Sequence, residues 1–435
     1  MKLMVYSHDA FGLGNIRRML AICQSLICTL PDVSILVVSG SPAVHSLRLP
    51  AGIDYIKLPC LGRDQSGQLK ARFLDIQMEK MVKLRSSLIL AAVASFKPDL
   101  LLVDKKPTGI KGELQETLNH LRTCSPQTKR VLLLRDILDS PEATIDQWRR
   151  QGYYDQAELL YDHLWVVGSP EIFDVRSEYD FSGRLAQKVS FCGYIRREPG
   201  LTPRSEMRQV LGVQPDQPLV LVTPGGGGDG YHLVDAYLSG LAALPSDHRP
   251  KSLIISGPEM PYSQQRQLIE RADALPEVHI QEFTDDMMSY MDAADLVVSM
   301  GGYNTVGEIL TLRKSAIVIP RIKPVKEQWI RAQRMAALGL FKAIHPDGLT
   351  PPGLMAAVLE KLQQPDNMIP LSSRLDMNAL PKIANLVSAV LKQPPQSAVL
   401  KQPPQPTLLT RQLQIANLSY LRRSFSKFLS LETAQ

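Results

Sequence analysis

The feature that most constrains this chain is a rhythm that runs through it twice. Short runs of Leu, Val and Ile alternate with longer amphipathic stretches. In the first half, strand-like runs stand at 3–7, 33–38, 55–58, 100–103, 131–134, 164–167 and 189–192, with helical spacing at 16–26, 73–94 and 114–121. In the second half, the runs stand at 219–223, 252–256, 278–281, 296–299 and 316–320, with helical spacing at 233–244, 264–274, 305–312 and 329–338. A strand buried on both faces reads as a continuous apolar run, and helical crossovers join parallel strands. The reading is an α/β chain of two doubly wound Rossmann-like domains, with the ligand expected in the cleft between them. Pro199, Gly200 and Pro203 interrupt the polar stretch 196–203, which sets the domains at 1–198 and 199–387.

The tail breaks the rhythm. SAVLKQPPQ occurs in tandem at 388–396 and 397–405. Two copies do not build a repeat fold, and paired prolines favour polyproline II, so 388–406 reads as a semi-rigid linker. In 407–435, Leu409, Leu413, Ala416, Tyr420 and Phe428 fall near helical spacing, while Arg411, Arg422, Arg423 and Lys427 crowd another face. This basic amphipathic helix either lies on a membrane surface or a partner, or packs back on the protein with its charges in water. The second reading needs no extra ligand and is preferred.

Charge and cysteine usage narrow the class. The chain has 49 basic and 43 acidic side chains, a net charge of +6. That excess suits an anionic ligand but is not the dense basic stripe of a nucleic-acid binder, so no nucleic-acid partner is expected. Cys23, Cys28, Cys60, Cys124 and Cys192 form no CxxC pair. This argues against a disulfide framework or a structural zinc site, and for a reducing compartment. The chain enters a strand at once without signal-peptide anatomy, and no apolar run is long enough to span a bilayer. The expectation is a cytoplasmic protein, soluble or peripheral at the inner face of the membrane.

Chemistry is expected where strands hand over to helices. TPGGGGDG at 223–230 follows a strand and opens a helix, and four consecutive glycines, Gly225, Gly226, Gly227 and Gly228, exceed what a simple turn requires. Their backbone can approach a ligand closely and ring an anion with N–H groups. MGGYNTVGE at 300–308 follows another strand. There Gly301 and Gly302 permit close approach, and Asn304 or Thr305 is expected to cap the next helix, whose N-terminus suits a diphosphate. Glu308, about one turn in, is placed to accept bonds from ribose hydroxyls; simple complementarity to the helix dipole is the alternative. In EQWIRAQ at 327–333, Glu327 and Arg331 share a helix face, and Glu327 and Gln328 suit sugar hydroxyls. An exposed polar helix start explains them equally well.

In the first half, HDAFGLGN at 8–15 follows the first strand with Gly12 and Gly14, and lacks the full GxGxxG fingerprint because Arg17 stands at its last position. His8 and Asp9 offer an acid–base pair, although a lone histidine at a strand end more often serves structure. Two further strand ends carry polar pairs, Asp104 with Lys105 and Arg135 with Asp136. Carboxyl ends of parallel strands are where such folds keep their sites.

Taken in order, these loops resemble those of the GT-B glycosyltransferases. The nearest similarity is to the branch holding the MurG-type N-acetylglucosaminyltransferases of family 28, and to a bacterial group known only as predicted glycosyltransferases. The resemblance covers 1–391 and is strongest over 219–340; the tandem repeat and final helix lie outside it. It implies a hexosyltransferase with a nucleotide-sugar, uridine-linked, as co-substrate and no bound cofactor. By the same resemblance, Gly225–Gly228 face the donor diphosphate, Gly301 to Thr305 hold phosphate at a helix N-terminus, Glu308 bonds the ribose, and Glu327 and Gln328 touch the sugar. The loop through Phe11, Gly12, Gly14 and Asn15 would approach the reacting centre, and Arg135 and Asp136 would face the acceptor.

Departures from the family pattern matter. The family's first glycine loop usually ends in His, and here Asn15 stands there; an amide is no general base. His8, Asp9 or Asp136 would then take the acceptor's proton. Arg331 replaces the Asn often found in relatives, which points to a different or more acidic sugar. No Asp-x-Asp motif is present, so inverting transfer without a metal is expected, with helix ends and backbone dipoles stabilising the leaving diphosphate. The acceptor is not legible, beyond the link from a membrane-lying terminal helix to a lipid-linked one. Two rivals share the scaffold: a nucleotide-sugar 2-epimerase-like enzyme, which needs no acceptor, and a non-catalytic nucleotide-sugar-binding protein, which Asn15 supports.

Overall fold

The computed structural model describes residues 1–8, 14–42, 44, 49–63, 69–363 and 375–392. Asp9, Phe11, Gly12, most of the expected linker and all of the expected terminal helix lie outside the described residues.

Two parallel sheets carry the chain. The strands of the first half are β1 (Lys2–Ser7), β2 (Ser34–Ser39), β3 (Ile53–Lys57), β4 (Leu61–Arg63), β5 (Leu69–Ala71), β6 (Leu100–Asp104), β7 (Lys129–Arg135), β8 (His163–Val167) and β9 (Val189–Phe191). All but β4 and β5 form a seven-stranded sheet ordered β3-β2-β1-β6-β7-β8-β9, while β4 and β5 make a small antiparallel hairpin. The second half contributes β10 (Leu219–Thr223), β11 (Lys251–Ile255), β12 (Val278–Gln281), β13 (Leu296–Ser299), β14 (Ser315–Val318) and β15 (Lys342–Ala343), ordered β12-β11-β10-β13-β14-β15. The continuous runs LLLVD of β6 and LVLVT of β10 are buried at every position. That burial is why neither strand shows a polar alternation.

In each sheet the strand order reverses once, between β1 and β6 and between β10 and β13. Chains leaving such a pair diverge to opposite faces and open a crevice at the carboxyl ends. His8, at the end of β1, and the turn at Lys105 flank the first crevice. The glycine loop 223–230 and the loop 300–303 flank the second. Four of the motifs singled out from the sequence therefore lie at the two switch points.

Three elements differ from the sequence expectation. The helix read at 73–94 begins only at Met78 (Met78–Phe96). Met81, Arg85, Ile89 and Val93 form its buried stripe, whereas Phe73, Leu74 and Ile76 stay exposed and have no face to bury. The β4–β5 hairpin and β15 are too short for periodicity to reveal. The third difference is the domain boundary at 387. Helix Ala379–Val390 leaves the second domain and packs on helix Gly14–Thr29 of the first, burying Ala379, Ile383, Ala384 and Val387 in the first domain's core. Ser388, assigned to the linker, is a buried residue of that helix. The junction is tied by a bridge between Ile195 and Asn378, by a bond from the Tyr194 N–H to the Asp376 carbonyl and by one from the Ala379 N–H to the Tyr194 carbonyl. Gly193, at φ 85°, permits the approach, since a Cβ there would lie 2.6 Å from the Asp376 carbonyl.

Ile383→Ala should therefore destabilise the first domain by about 2–5 kcal/mol. The check is a urea titration, in which an unchanged midpoint would show that the returning helix is not part of that core.

Candidate active site

On the second domain, the glycine loop does two jobs. Gly225 and Gly227 adopt φ values of 86° and 91°. A Cβ on Gly227 would lie 2.2 Å from the Ser256 carbonyl, and one on Gly257 would lie 2.4 Å from the Gly225 carbonyl. The loop is thus pressed backbone to backbone against the turn after β11, and Gly227 serves that packing. Gly225 faces open space, and a Cβ on Gly228 would have its nearest neighbour 3.7 Å away. Those two keep the outer face of the loop bare. A Cβ on Gly226 would meet the Glu259 carboxylate at 3.0 Å.

The neighbouring helix, Tyr303–Leu312, starts earlier than expected and is not capped by Asn304 or Thr305. Gly302 is its N-cap, no side chain caps it, and Asn304 instead accepts a bond from Arg197 at 2.5 Å. Its first N–H groups thus lack a side-chain acceptor, the arrangement that receives an anion. Gly301, at φ 63°, cannot carry a side chain, because a Cβ would meet Val318 Cγ1 at 2.4 Å. Glu308 follows on this helix, half-buried, with no hydrogen bond or ion pair to a described residue. Burial pushes its carboxyl up to about 7, against the pull of Arg197 and Arg17.

Across the cleft lies a buried ionic array that joins the domains. Arg331 donates Nε to Asp136 Oδ2 at 2.7 Å, Nη2 to Asp136 Oδ1 at 2.8 Å, and Nη2 to Glu327 Oε2 at 3.2 Å. Arg135 donates to Glu327 at 3.2 Å. Arg331 and Asp136 are both fully buried. Burial would raise the Glu327 carboxyl, but Arg135, Arg331 and Lys105 overcome it and hold it down to about 2. Asp136 also accepts from the Tyr194 hydroxyl at 2.9 Å and the Ile137 N–H at 2.8 Å. Four donors thus engage the carboxylate, which leaves it no room to act as a base in this arrangement. Gly168 makes space for it, since a Cβ there would lie 2.4 Å from Asp136 Cβ. Tyr303 closes the array. Its ring lies beneath the guanidiniums of Arg18 (5.7 Å) and Arg331 (5.4 Å), and its hydroxyl reaches the Val167 carbonyl at 3.1 Å. Gln328 is buried beside Glu327 and accepts from the Arg321 N–H at 3.4 Å.

The first domain presents His8. Its backbone N–H donates to Asp104 at 3.3 Å, and its carbonyl accepts from Asn15 Nδ2 at 2.8 Å. Asn15 thus holds the chain at His8. Burial, with help from Lys105 and Lys106, drives the imidazole well below its usual pKa, so the ring is neutral. Asp104 is itself paired with Arg18 at 2.5 Å. Beneath lies a set the sequence did not announce: Arg85 and the Tyr6 hydroxyl both donate to the buried Glu113. These residues are far apart in the chain, and no local spacing links them. Among the described residues, no group of three or more His, Cys, Asp or Glu side chains is arranged to hold a metal ion.

Two parallel-sheet domains joined by a buried ionic array, with a glycine loop at the second domain's switch point, have the architecture of the GT-B fold. Residues 219–387 match the glycosyltransferase family 28 C-terminal domain, so the second half of the chain carries that domain. An uncharacterised glycosyltransferase of Methanopyrus kandleri is 26% identical over 234 residues, 53% of this chain and 62% of the relative. A UDP-N-acetylglucosamine–N-acetylmuramyl-(pentapeptide) pyrophosphoryl-undecaprenol N-acetylglucosamine transferase of Phocaeicola vulgatus is 27% identical over 124 residues, 28% of this chain and 33% of the relative. The chain thus matches less than two thirds of the length of either. The crystal structure of Acinetobacter baumannii MurG superposes with a TM-score of 0.57 at 15% identity, over 89% of this chain and 99% of that one.

Removing one member of the fully buried pair strands the other. Asp136→Ala and Arg331→Ala should each cost about 3–5 kcal/mol. Their double variant should cost much less than the sum, read as coupling in a double-mutant cycle. Additive losses would mean that the two groups do not interact.

Proposed function

We propose that this chain is a glycosyltransferase that moves a hexose or N-acetylhexosamine from a uridine-diphosphate sugar to an acceptor hydroxyl, with inversion and without a metal. The observation that carries the reading is Glu308, a half-buried carboxylate without a hydrogen-bond or ion-pair partner among the described residues, one and a half turns into an uncapped helix at the second domain's switch point. The helix N-terminus and the bare face of the glycine loop suit a diphosphate, and Glu308 would take the ribose hydroxyls. Glu327 and Gln328 would meet the sugar. Stabilisation of the leaving diphosphate falls to backbone N–H groups and the helix dipole.

On the acceptor side His8 is the better base. It is neutral and therefore able to take a proton, whereas Asp136 is saturated by its four donors. Asn15, which stands where relatives carry His, would act as a positioning residue through the His8 carbonyl. A lipid-linked acceptor fits an exposed apolar patch of Phe73, Leu74, Ile76, Leu84 and Leu88, flanked by the exposed Lys80 and Lys83. The patch would rest on an anionic membrane surface. Among the described residues no helix is long and apolar enough to cross a membrane.

Two measurements test this reading. UDP-glucose, whose diphosphate does not titrate near neutrality, is bound by calorimetry from pH 8 to pH 6. Ribose hydroxyls donate to an ionised carboxylate, so affinity should fall by up to about tenfold as Glu308 protonates below 7. Glu308→Gln should weaken binding at pH 8 and flatten the profile. A steep profile that survives this substitution would remove Glu308 from the site. Released UDP without an epimerised donor, in the presence of acceptor lipids, would identify transfer; an epimer formed from the donor alone would replace it. For the membrane contact, Phe73→Ser with Leu84→Gln should abolish co-sedimentation with phosphatidylglycerol vesicles, and unchanged co-sedimentation would sink the assignment.

A further inference from the structure

The nucleotide-sugar reading leaves the charge of the cleft unexplained. Four cations, Arg18, Lys105, Arg135 and Arg331, gather at the ends of β6 and β7 with three carboxylates, Asp104, Asp136 and Glu327. Arg18 takes Asp104, Arg331 takes Asp136 and part of Glu327, and Arg135 takes the rest of Glu327. Every carboxylate is engaged by a guanidinium. Lys105 is left over: its ammonium makes no hydrogen bond and no ion pair within 4 Å with a described residue, although Arg135, Glu327 and Asp104 lie within electrostatic reach.

Its backbone is unusual too. Lys105 sits at φ 73°, a left-handed conformation that residues with side chains rarely adopt, and its N–H is held by the Leu133 carbonyl at 2.8 Å. Non-glycine residues in this region mark sites where the surroundings force a side chain into place. Donors around it are also incomplete. Arg135 Nε and Arg331 Nη1 are buried and have no hydrogen-bond partner among the described residues. Buried donors are normally satisfied, and an incoming acceptor is what would satisfy these. Burial, with Arg135 next in effect, lowers the Lys105 ammonium to about 8 against the pull of Glu327 and Asp104, and Lys106 lowers it further. A buried cation with no direct partner among the described residues is stabilised by an added negative charge.

We propose that Lys105, Arg135 and Arg331 form a subsite for an oxyanion carried by a substrate of the transfer reaction, either a carboxylate on the donor sugar or a phosphate on the acceptor. The subsite rests on the nucleotide-sugar reading and adds the chemistry of the group recognised. A guanidinium fork and an ammonium together match the planar or tetrahedral oxygens of such groups.

The test uses the full chain, Lys105→Met, and Lys105→Arg as the charge-preserving control. UDP-glucuronate and UDP-glucose are compared by calorimetry, and inorganic phosphate is titrated at constant ionic strength with UDP-glucose saturating. If the anion is the sugar's carboxylate, UDP-glucuronate binds at least about tenfold tighter than UDP-glucose; Lys105→Met erases the difference and Lys105→Arg retains it. If it belongs to the acceptor, the two donors bind alike, phosphate binds to the UDP-glucose complex, and only Lys105→Met loses it. The proposal is overturned if the wild type shows neither uronate preference nor phosphate binding, or if Lys105→Met keeps whichever is seen while melting at the wild-type temperature. Failure of every UDP-sugar to bind sinks the nucleotide-sugar reading instead, and phosphate titrated into the free protein then decides the subsite by the same comparison of variants.

Discussion

The site as described depends on one ion pair. Arg331 and Asp136 come from different domains, both without exposure to solvent, and meet through two parallel hydrogen bonds. Taking two charges out of water costs more than their attraction returns unless every lone pair and proton finds a partner. Tyr194 and Ile137 complete the carboxylate, Glu327 takes a further proton of the guanidinium and Tyr303 lies against it, while Nη1 of Arg331 stays unpaired among the described residues. The pair therefore sets the position of the second domain's helix Glu327–Ala337 relative to the ends of β7 and β8. It also bears on chemistry: both oxygens of Asp136 are occupied by donors from Arg331, Tyr194 and Ile137.

This explains what the sequence disclosed and what it did not. Central strands were readable because a strand covered on both faces must be apolar throughout; 278–281 and 296–299 emerge with the bounds expected. The loops at 223–230 and 300–308 were readable because glycine after a strand is costly unless backbone must come close. Their division of labour was not, because Gly227 is required by the carbonyl of Ser256, and that neighbour lies in another loop. The helix at 303 lacked its expected side-chain cap because Arg197 claims Asn304.

The least legible residues were those whose meaning lies in a distant partner. Arg331 stood out as a departure from relatives, but Asp136 is 195 positions away, and no local spacing encodes their contact. Lys105 read as an ordinary strand-end polar residue, since left-handed backbone is invisible in a residue's name. The returning helix 379–390 was masked by the repeat that begins inside it. SAVL completes an apolar helical face in its first copy, while the prolines that follow invite a linker reading.

That returning helix also changes how the molecule can move. The chain passes between the domains twice, once after Ile195 and once before Asn378, and the two passages are bridged to each other. Two strands side by side behave as a door hinge rather than a tether: they permit rotation about their common line and resist sliding or twisting. Rotation of one domain against the other would turn about the line through 195 and 378, and the Arg331–Asp136 pair lies beside that line, since Asp136 accepts from the hydroxyl of Tyr194, the neighbour of Ile195. The same geometry fixes an address. Helix 379–390 packs on the first domain, so Lys392, two residues past its end, is carried by the domain that presents His8.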